Sequence, residues 1–470
     1  MNAQPLELAD VQGLVVRGYG TLPLARYLLG AVEDPAGARA WLGTLAERLD
    51  DARERPERTA VNLALTASGL TALGLPQAAL AGFGQPFADG MTAEHRARLL
   101  GDEGGDAPER WDWGRPDGEP VHVLLLLYAA DDAALDALEA QLTVPAVRIV
   151  TRLDTAPMQP REHFGFRDGV SQPRIAGLGD AADQHTVAPG EFVLGYGNEY
   201  GLAATSPVVA ARDDPAGILP PAPGDGADHD LGRNGSFLVL RTLSQDVHAF
   251  WSFCERATAR DDGSPDEAAR LRLAAKLVGR WPSGAPLALA PDADDPALGE
   301  RNDFAYAGDD AHGLRCPVGA HVRRANPRDS LDPHPGSAQS VAVGKRHRLL
   351  RRGRQYGRFL PTEELLSSGV DEAWREEPRG LHFICLAANL ARQFEFVQHT
   401  WVNNPRFGVL YDAPDPLIGA TPGGERTFTV PARPVRERHT GVPRFVGVRG
   451  GAYFFLPGLR AVRYLAALGG

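Results

Sequence analysis

Seven hydrophobic segments, one of them a short helix, follow one another between residues 11 and 153, and their order limits the fold more than any other feature of the 470-residue chain. Val11–Gly18 reads as a strand. Asp34–Asp50 reads as an amphipathic helix, because Leu42, Leu45 and Leu49 recur at the three- and four-residue spacing that shares one helix face. Ala60–Leu65 predicts a second strand, followed by a short helix over Ala67–Leu73 that Gly74 and Pro76 end. Pro120–Tyr128 is a near-continuous apolar strand, Ala133–Leu142 is helical, and Ala146–Leu153 closes the set as a strand. The order β-α-β-β-α-β is the split βαβ pattern, an antiparallel sheet backed by helices, so residues 1–155 are expected to form one α+β unit.

Residues 156–235 are rich in Gly, Pro and Asp, with a short extended stretch at Phe192–Leu194, and read as a long functional loop. From 236 onward the pattern begins again. Strand Ser236–Arg241 is followed by helices Gln245–Ala257 and Asp266–Val278, strand Leu381–Leu386 and helix Asn389–Thr400. Strands Arg444–Val448 and Ala452–Phe455 and helix Leu459–Leu468 complete the chain. Residues 236–470 therefore predict a second unit of the same kind, with a large insertion at about 279–378. A chain of this length with 43% hydrophobic residues can bury two such cores.

A net charge of -11 argues against nucleic acid as a partner. The longest apolar run, Val121–Ala130, is too short to span a bilayer and contains His122, so no membrane partner is expected. The first ten residues carry neither a charged nor an apolar leader segment. Three widely spaced cysteines, Cys254, Cys316 and Cys385, make no disulfide framework or four-thiolate zinc site and fit a reducing cytoplasm. Association into homo-oligomers stays open. Against the acidic background the basic run Lys345–Arg354 stands out.

The segment that draws most attention is Cys316-Pro-Val-Gly-Ala-His321-Val-Arg-Arg-Ala-Asn-Pro-Arg328, where one histidine is followed by Arg323, Arg324 and Arg328. That pattern suits a site offering a single nitrogen to something large and anionic. Its company is Gly165-Phe-Arg-Asp168-Gly169 upstream, and Leu349-Leu-Arg351-Arg352-Gly353 and Gln393-Phe-Glu395-Phe downstream. Gly-x-x-Asp-Gly alone is common in a glycine-rich chain; the ordered set of four is far more demanding.

Together with Glu191-Phe-Val-Leu-Gly-Tyr196 and Gly450-Gly-Ala-Tyr-Phe-Phe455, these segments resemble the dye-decolorising peroxidases along most of the chain, in the form of the family's longer, non-secreted branch. The resemblance implies two ferredoxin-like α+β domains, haem b (iron protoporphyrin IX) as cofactor, and hydrogen peroxide with a reducing small molecule as partners. His321 matches the family's iron ligand and Glu395 the acid that accepts its second hydrogen bond. Asp168 matches the residue that moves a proton between the peroxide oxygens, and an ordinary aspartate pKa near ~4 implies an acidic activity optimum. Arg351 matches the guanidinium that stabilises developing charge; its choice over Arg352 rests on the resemblance. His163 and Arg328 match positions holding the haem carboxylates, while Arg323 or Arg324 could be structural. The loop Gly169, Val170, Ser171 and Gln172 is expected across the macrocycle, with Phe383 and Leu386 as apolar wall. Bulky dyes would need an electron route through residues such as Trp251, Trp281, Trp374, Trp401, Tyr196 or Tyr356. The alternative in another class is a haem-binding or haem-handling protein with little peroxidase turnover.

Overall fold

The structure, a computed structural model, describes residues 5–179, 185–224, 227–360, 377–420 and 425–469. Its frame is a sheet of strands β1 (Leu24–Val32), β2 (Thr59–Leu65), β3 (Val123–Ala129), β4 (Val147–Asp154) and β5 (Ser236–Gln245), with β6 (Leu350–Arg351), β7 (Arg354–Tyr356), β8 (Gly380–Ala387) and β9 (Val446–Leu456). Among the described residues these nine strands form one antiparallel sheet in the order β6-β8-β5-β9-β2-β3-β1-β4, with β7 also on β8. Each half has the ferredoxin-like order: β2-β3-β1-β4 in the first, and β9-β5-β8-β6 with β7 in the second. The halves meet edge to edge through the pairing of Phe455 with Leu65.

Helices α1 (Pro35–Leu45) and α2 (Asp132–Leu142) cover one face of the first half. Asp34 and Asp131 cap their N-termini by accepting from the backbone N–H of Ala36 and Ala134. Next come α3 (Val247–Ala257), α4 (Glu267–Val278), the short α5 (His321–Ala325) and α6 (Leu459–Ala467), which packs on α1. The near-continuous apolar run in β3 has a simple cause. Leu125 and Leu127 point into the core beneath α1 and α2, whereas Leu124 and Leu126 point into a second core on the opposite face. Alternate side chains face opposite sides, so a strand covered on both needs no polar residues.

The structure corrects the reading in three places. Val11–Gly18 is not a strand: Gly13–Val16 is a single helical turn, and the buried Val11, Leu14 and Val15 have helical spacing. The first strand is instead Leu24–Val32, which the leucine-rich sequence with Arg26 and Gly30 disguised. There a Cβ on Gly30 would lie 2.6 Å from Val147 Cγ1, at the register shift between Leu29 and Gly30. The two strands read at Arg444–Val448 and Ala452–Phe455 are one strand, β9, bent by a bulge between Val448 and Gly450. Phe192–Leu194 follows a 3-10 turn at Pro189–Glu191 and is not extended. The helix read at Asn389–Thr400 is present but wide-turned: the N–H of Glu395 bonds the carbonyl of Leu390 at 2.9 Å and that of Asn403 bonds Gln398 at 2.8 Å.

Leu126 is 0% exposed between the two central strands, so Leu126→Ala should destabilise the protein by about 2–5 kcal/mol in denaturant unfolding. Tyr411→Ala, at a residue 77% exposed, should change stability by less than about 0.5 kcal/mol in the same measurement.

Candidate active site

A cavity of about 280 Å³ lies between the loop around Asp168, the exposed face of β8, α5 and the wide-turned helix that follows β8. His321 opens α5 directly after the Pro317–Ala320 turn, and its side chain keeps 28% exposure on the cavity wall. Its Nδ1 lies 2.9 Å from Oδ2 of Asp415, and Asp415 is 0% exposed. The other carboxylate oxygen accepts the N–H groups of Leu417 at 2.9 Å and Ile418 at 3.0 Å. Burial alone would push the Asp415 carboxyl up, but the charge and bond of His321, with Arg324 nearby, hold it below its ordinary value. Burial likewise disfavours a charged His321, and the Asp415 carboxylate more than reverses that, raising the imidazole pKa. With Nδ1 committed, Nε2 is the nitrogen left for the cavity.

Two arginines anchor this helix. Arg323 donates to Asp310 and the Cys316 carbonyl at 3.1 and 2.7 Å. Arg324 donates to the carbonyls of Trp401 and Asn404 at 2.5 and 3.0 Å and also reaches Ala413. Both are structural.

On the same cavity wall Asp168 projects from a turn at Gly169, whose φ of +82° favours glycine. Its Oδ1 accepts the Gly169 N–H at 2.6 Å and Arg351 Nη1 at 3.3 Å, which leaves Oδ2 without a protein partner among the described residues. Arg351 and Arg352 point to opposite sides of the strand. Arg352 is turned to the far side of the sheet, where it bonds the carbonyls of Leu14 and Val15 at 2.8 and 2.9 Å.

Of the residues singled out in the sequence, Asp168, Gly169, Val170, Ser171, His321, Arg351 and Phe383 line this one cavity. Gln172 stands just behind it, accepting the Arg351 N–H at 3.1 Å. Glu395 is not the partner of His321. It is buried on the far side of its helix, where it accepts Arg96 Nη1 at 2.9 and 3.0 Å and the Tyr453 hydroxyl at 2.9 Å. The acid that holds the imidazole is Asp415, in Asp-Ala-Pro-Asp-Pro, a loop segment with no distinguishing pattern. His163 and Arg328 are absent from the cavity wall as well. His163 bonds the Tyr356 carbonyl at 2.8 Å, and burial pushes it down to about 4, so it is neutral. Arg328 is turned to the carbonyls of Asn302 and Phe304 at 2.8 and 2.9 Å, with its guanidinium 3.7 Å over the Phe304 ring. The arginines on the wall are instead Arg167, Arg241, Arg280, Arg348, Arg351 and Arg444. Leu386 faces the core, and Leu381 takes its place beside Phe383. Trp251, Trp281, Trp401 and Tyr196 are buried, Tyr356 stacks on His382 at 4.6 Å, and Trp374 lies outside the described residues.

This donor set fits a flat, metal-bearing macrocycle. It offers one imidazole nitrogen, apolar walls from Leu381, Phe383, Phe394 and Val397, and guanidinium groups at the rim. Among the described residues no group of three His, Cys, Asp or Glu side chains could hold a bare metal ion.

The fold and cavity define a double ferredoxin-like α+β oxidoreductase. No protein-family profile matches the chain. Curated relatives do: a dye-decolorizing peroxidase of Exidia glandulosa is 33% identical over 430 residues, covering 86% of this chain and 75% of that protein. The multifunctional dye peroxidase DyP2 of Amycolatopsis is 31% identical over 466 residues, 92% and 90% of the two chains. Among solved structures, a dye-decolorizing peroxidase in complex with 2,6-dimethoxyphenol superposes with a TM-score of 0.78 at 29% identity, covering 98% of this chain and 100% of that one. A fungal DyP-type peroxidase from Auricularia auricula-judae gives 0.79 at 26% identity, covering 99% and 100%. The chain belongs to the dye-decolorizing peroxidases and is a peroxide-using oxidoreductase.

Because Asp415, and not Glu395, raises the His321 pKa, Asp415→Asn should lower it in an imidazole NMR titration of the cofactor-free protein, and Glu395→Gln should leave it in place. The reverse pattern would return Glu395 to the role first read for it.

Proposed function

We propose that the protein holds haem b on His321 and uses hydrogen peroxide to oxidise phenols and dyes, with Asp168 and Arg351 acting on the peroxide. The observation that carries this reading is the convergence on one cavity of His321, bound through Nδ1 to Asp415, and the Asp168–Arg351 pair, close enough to act on the imidazole. When bound, haem b supplies a redox-active iron that accepts oxidising equivalents from peroxide and passes them on singly.

The chain's own groups do the rest. His321 gives Nε2 as ligand, and the Asp415 carboxylate fixes the ring and raises its basicity. Asp168 Oδ2, the oxygen without a protein partner, takes the proton from one peroxide oxygen and returns it to the other, so that water can leave. The Arg351 guanidinium, 3.3 Å from that carboxylate, stabilises negative charge as the bond breaks. Arg348, on the same wall, is the candidate to pair with a haem carboxylate. Small phenols are the first substrate class, in keeping with the relative solved with 2,6-dimethoxyphenol.

The division at about residues 155 and 235 into two domains and a connecting segment belongs to the same reading, supported by the ferredoxin-like strand order repeated in each half of the sheet. Among the described residues no helix is long and apolar enough to cross a membrane. We place the protein in the cytoplasm, in keeping with cysteines that are all unpaired and buried.

Asp168→Asn should keep the absorption band of bound haem and lower peroxide-dependent oxidation of a small phenol by roughly 10²–10⁴-fold; an unchanged rate would remove Asp168 from the mechanism. His321→Ala should weaken haem retention, measured as haem transfer to an apo-globin acceptor. Haem bound by the unaltered protein without peroxide turnover would mark it as a haem-handling protein.

A further inference from the structure

The loop that carries Asp168 has an internal anchor. Glu162 lies on the cavity wall. Its Oε2 accepts the Phe164 N–H at 2.9 Å and Gln245 Nε2 at 2.8 Å, and its Oε1 accepts the Phe166 N–H at 3.0 Å. The backbone closes the same turn twice, with Glu162 N–H on the Phe166 carbonyl at 2.9 Å and Gly165 N–H on the Glu162 carbonyl at 2.8 Å. Phe164 and Phe166 then pack on Phe250 of α3, with ring centroids 4.6 and 6.3 Å apart. The turn is thus tied to α3 by its rings and to the end of β5 by Gln245. Asp168 itself has a long backbone tie, its N–H lying 3.4 Å from the Pro160 carbonyl. Its place in the cavity is inherited from the turn before it.

We propose that Glu162 is the positioning residue for Asp168, its carboxyl group locking the 160–168 loop so that the Asp168 carboxyl stands in the cavity with His321. This rests on the role proposed above for Asp168.

Among the described residues no cation bonds Glu162, and the Asp168 carboxylate on its own loop acts to raise its pKa. From β5 it meets the neutral Gln245, while Arg241 on that strand is engaged with Asp102; α3 presents Phe250 and Trp251 to this loop. Burial without a counter-charge pushes the carboxyl up to about 7 from an ordinary 4.5, against the pull of its three hydrogen bonds. A proton on Oε1 leaves all three donors satisfied, because the carbonyl oxygen accepts two and the hydroxyl oxygen keeps a lone pair for the third. A folded pKa above the unfolded value means that this group's contribution to the fold is complete below 4.5 and is lost as pH rises through about 7, where burial of the charge and not loss of its hydrogen bonds strains the turn.

Glu162→Gln sets an amide N–H₂ against the Phe166 N–H. In the haem-loaded full chain it should lower kcat for a small phenol by roughly 10- to 100-fold. It should abolish the fall in rate across pH 7 and speed amide exchange over residues 160–168. Combined with Asp168→Asn it should add no further loss, since the two act in series. An equal loss in the Asp168→Asn background, or a fall across pH 7 that persists in Glu162→Gln, overturns the proposal. Gln245→Leu removes only the outermost bond and should give a smaller loss of the same kind; unchanged kcat and exchange there overturn it equally, should Glu162→Gln not fold. A normal rate in Asp168→Asn alone defeats the role of Asp168, while amide exchange in Glu162→Gln still reports whether Glu162 holds the loop.

Discussion

The cavity depends on the buried hydrogen bond between His321 and Asp415. Without it the imidazole is free to rotate and to exchange tautomers, and no single nitrogen is presented to the cavity. The bond joins segments that are far apart in the chain, and a second contact secures it. Arg324, on the helix that His321 begins, donates to carbonyls along the stretch leading into Asp415, at Trp401, Asn404 and Ala413. The carboxylate and its helix are therefore held at a fixed separation by a guanidinium that never reaches the cavity. Asp415 also accepts two backbone N–H groups, which satisfy the oxygen left over from His321.

Arginine is used as an interior strut throughout this molecule. Arg352 reaches the carbonyls of Leu14 and Val15, and Arg354 those of Leu22 and Tyr19, so the irregular N-terminal segment is fastened to the second half of the sheet. Burial pushes Arg324 and Arg352 down to about 10, still far above neutrality, so both stay charged while losing most of their water. A planar fork of donors can satisfy several carbonyls at once, which a lysine could not do. The basic run Lys345–Arg354 is accordingly not a solvated face. It divides between the cavity, where Arg348 and Arg351 stand, and the packing of the N-terminal segment.

Where the sequence carried a local signal, its reading agrees with the structure. The helices read from Asp34 and over Ala133–Leu142, the apolar strand at Pro120–Tyr128 and the terminal helix all arise from contacts within a few residues or from a simple period. The strand over Leu24–Val32 was hidden because its leucines suit a helix equally well, and only pairing on both sides with β3 and β4 makes it a strand. Glu395 was misread for the same reason in reverse. Apolar neighbours on a helix mark it as buried, but they cannot say whether it faces His321 or, as it does, Arg96 and Tyr453. Asp415 gave no sign at all, since a carboxylate in a proline-rich loop resembles many others.

By itself the sequence determined the class of fold and the family, and the family resemblance pointed to His321, Asp168 and Arg351, which line one cavity. These follow from periodicity and from short motifs whose spacing survives in one dimension. Tertiary structure alone decided the partners: which acid orients the imidazole, what Arg352 bonds on the far side of the sheet, and that Arg328 is spent on backbone carbonyls. Hydrogen bonds between distant segments depend on direction and burial, and neither is written in the order of residues until the chain has closed on itself.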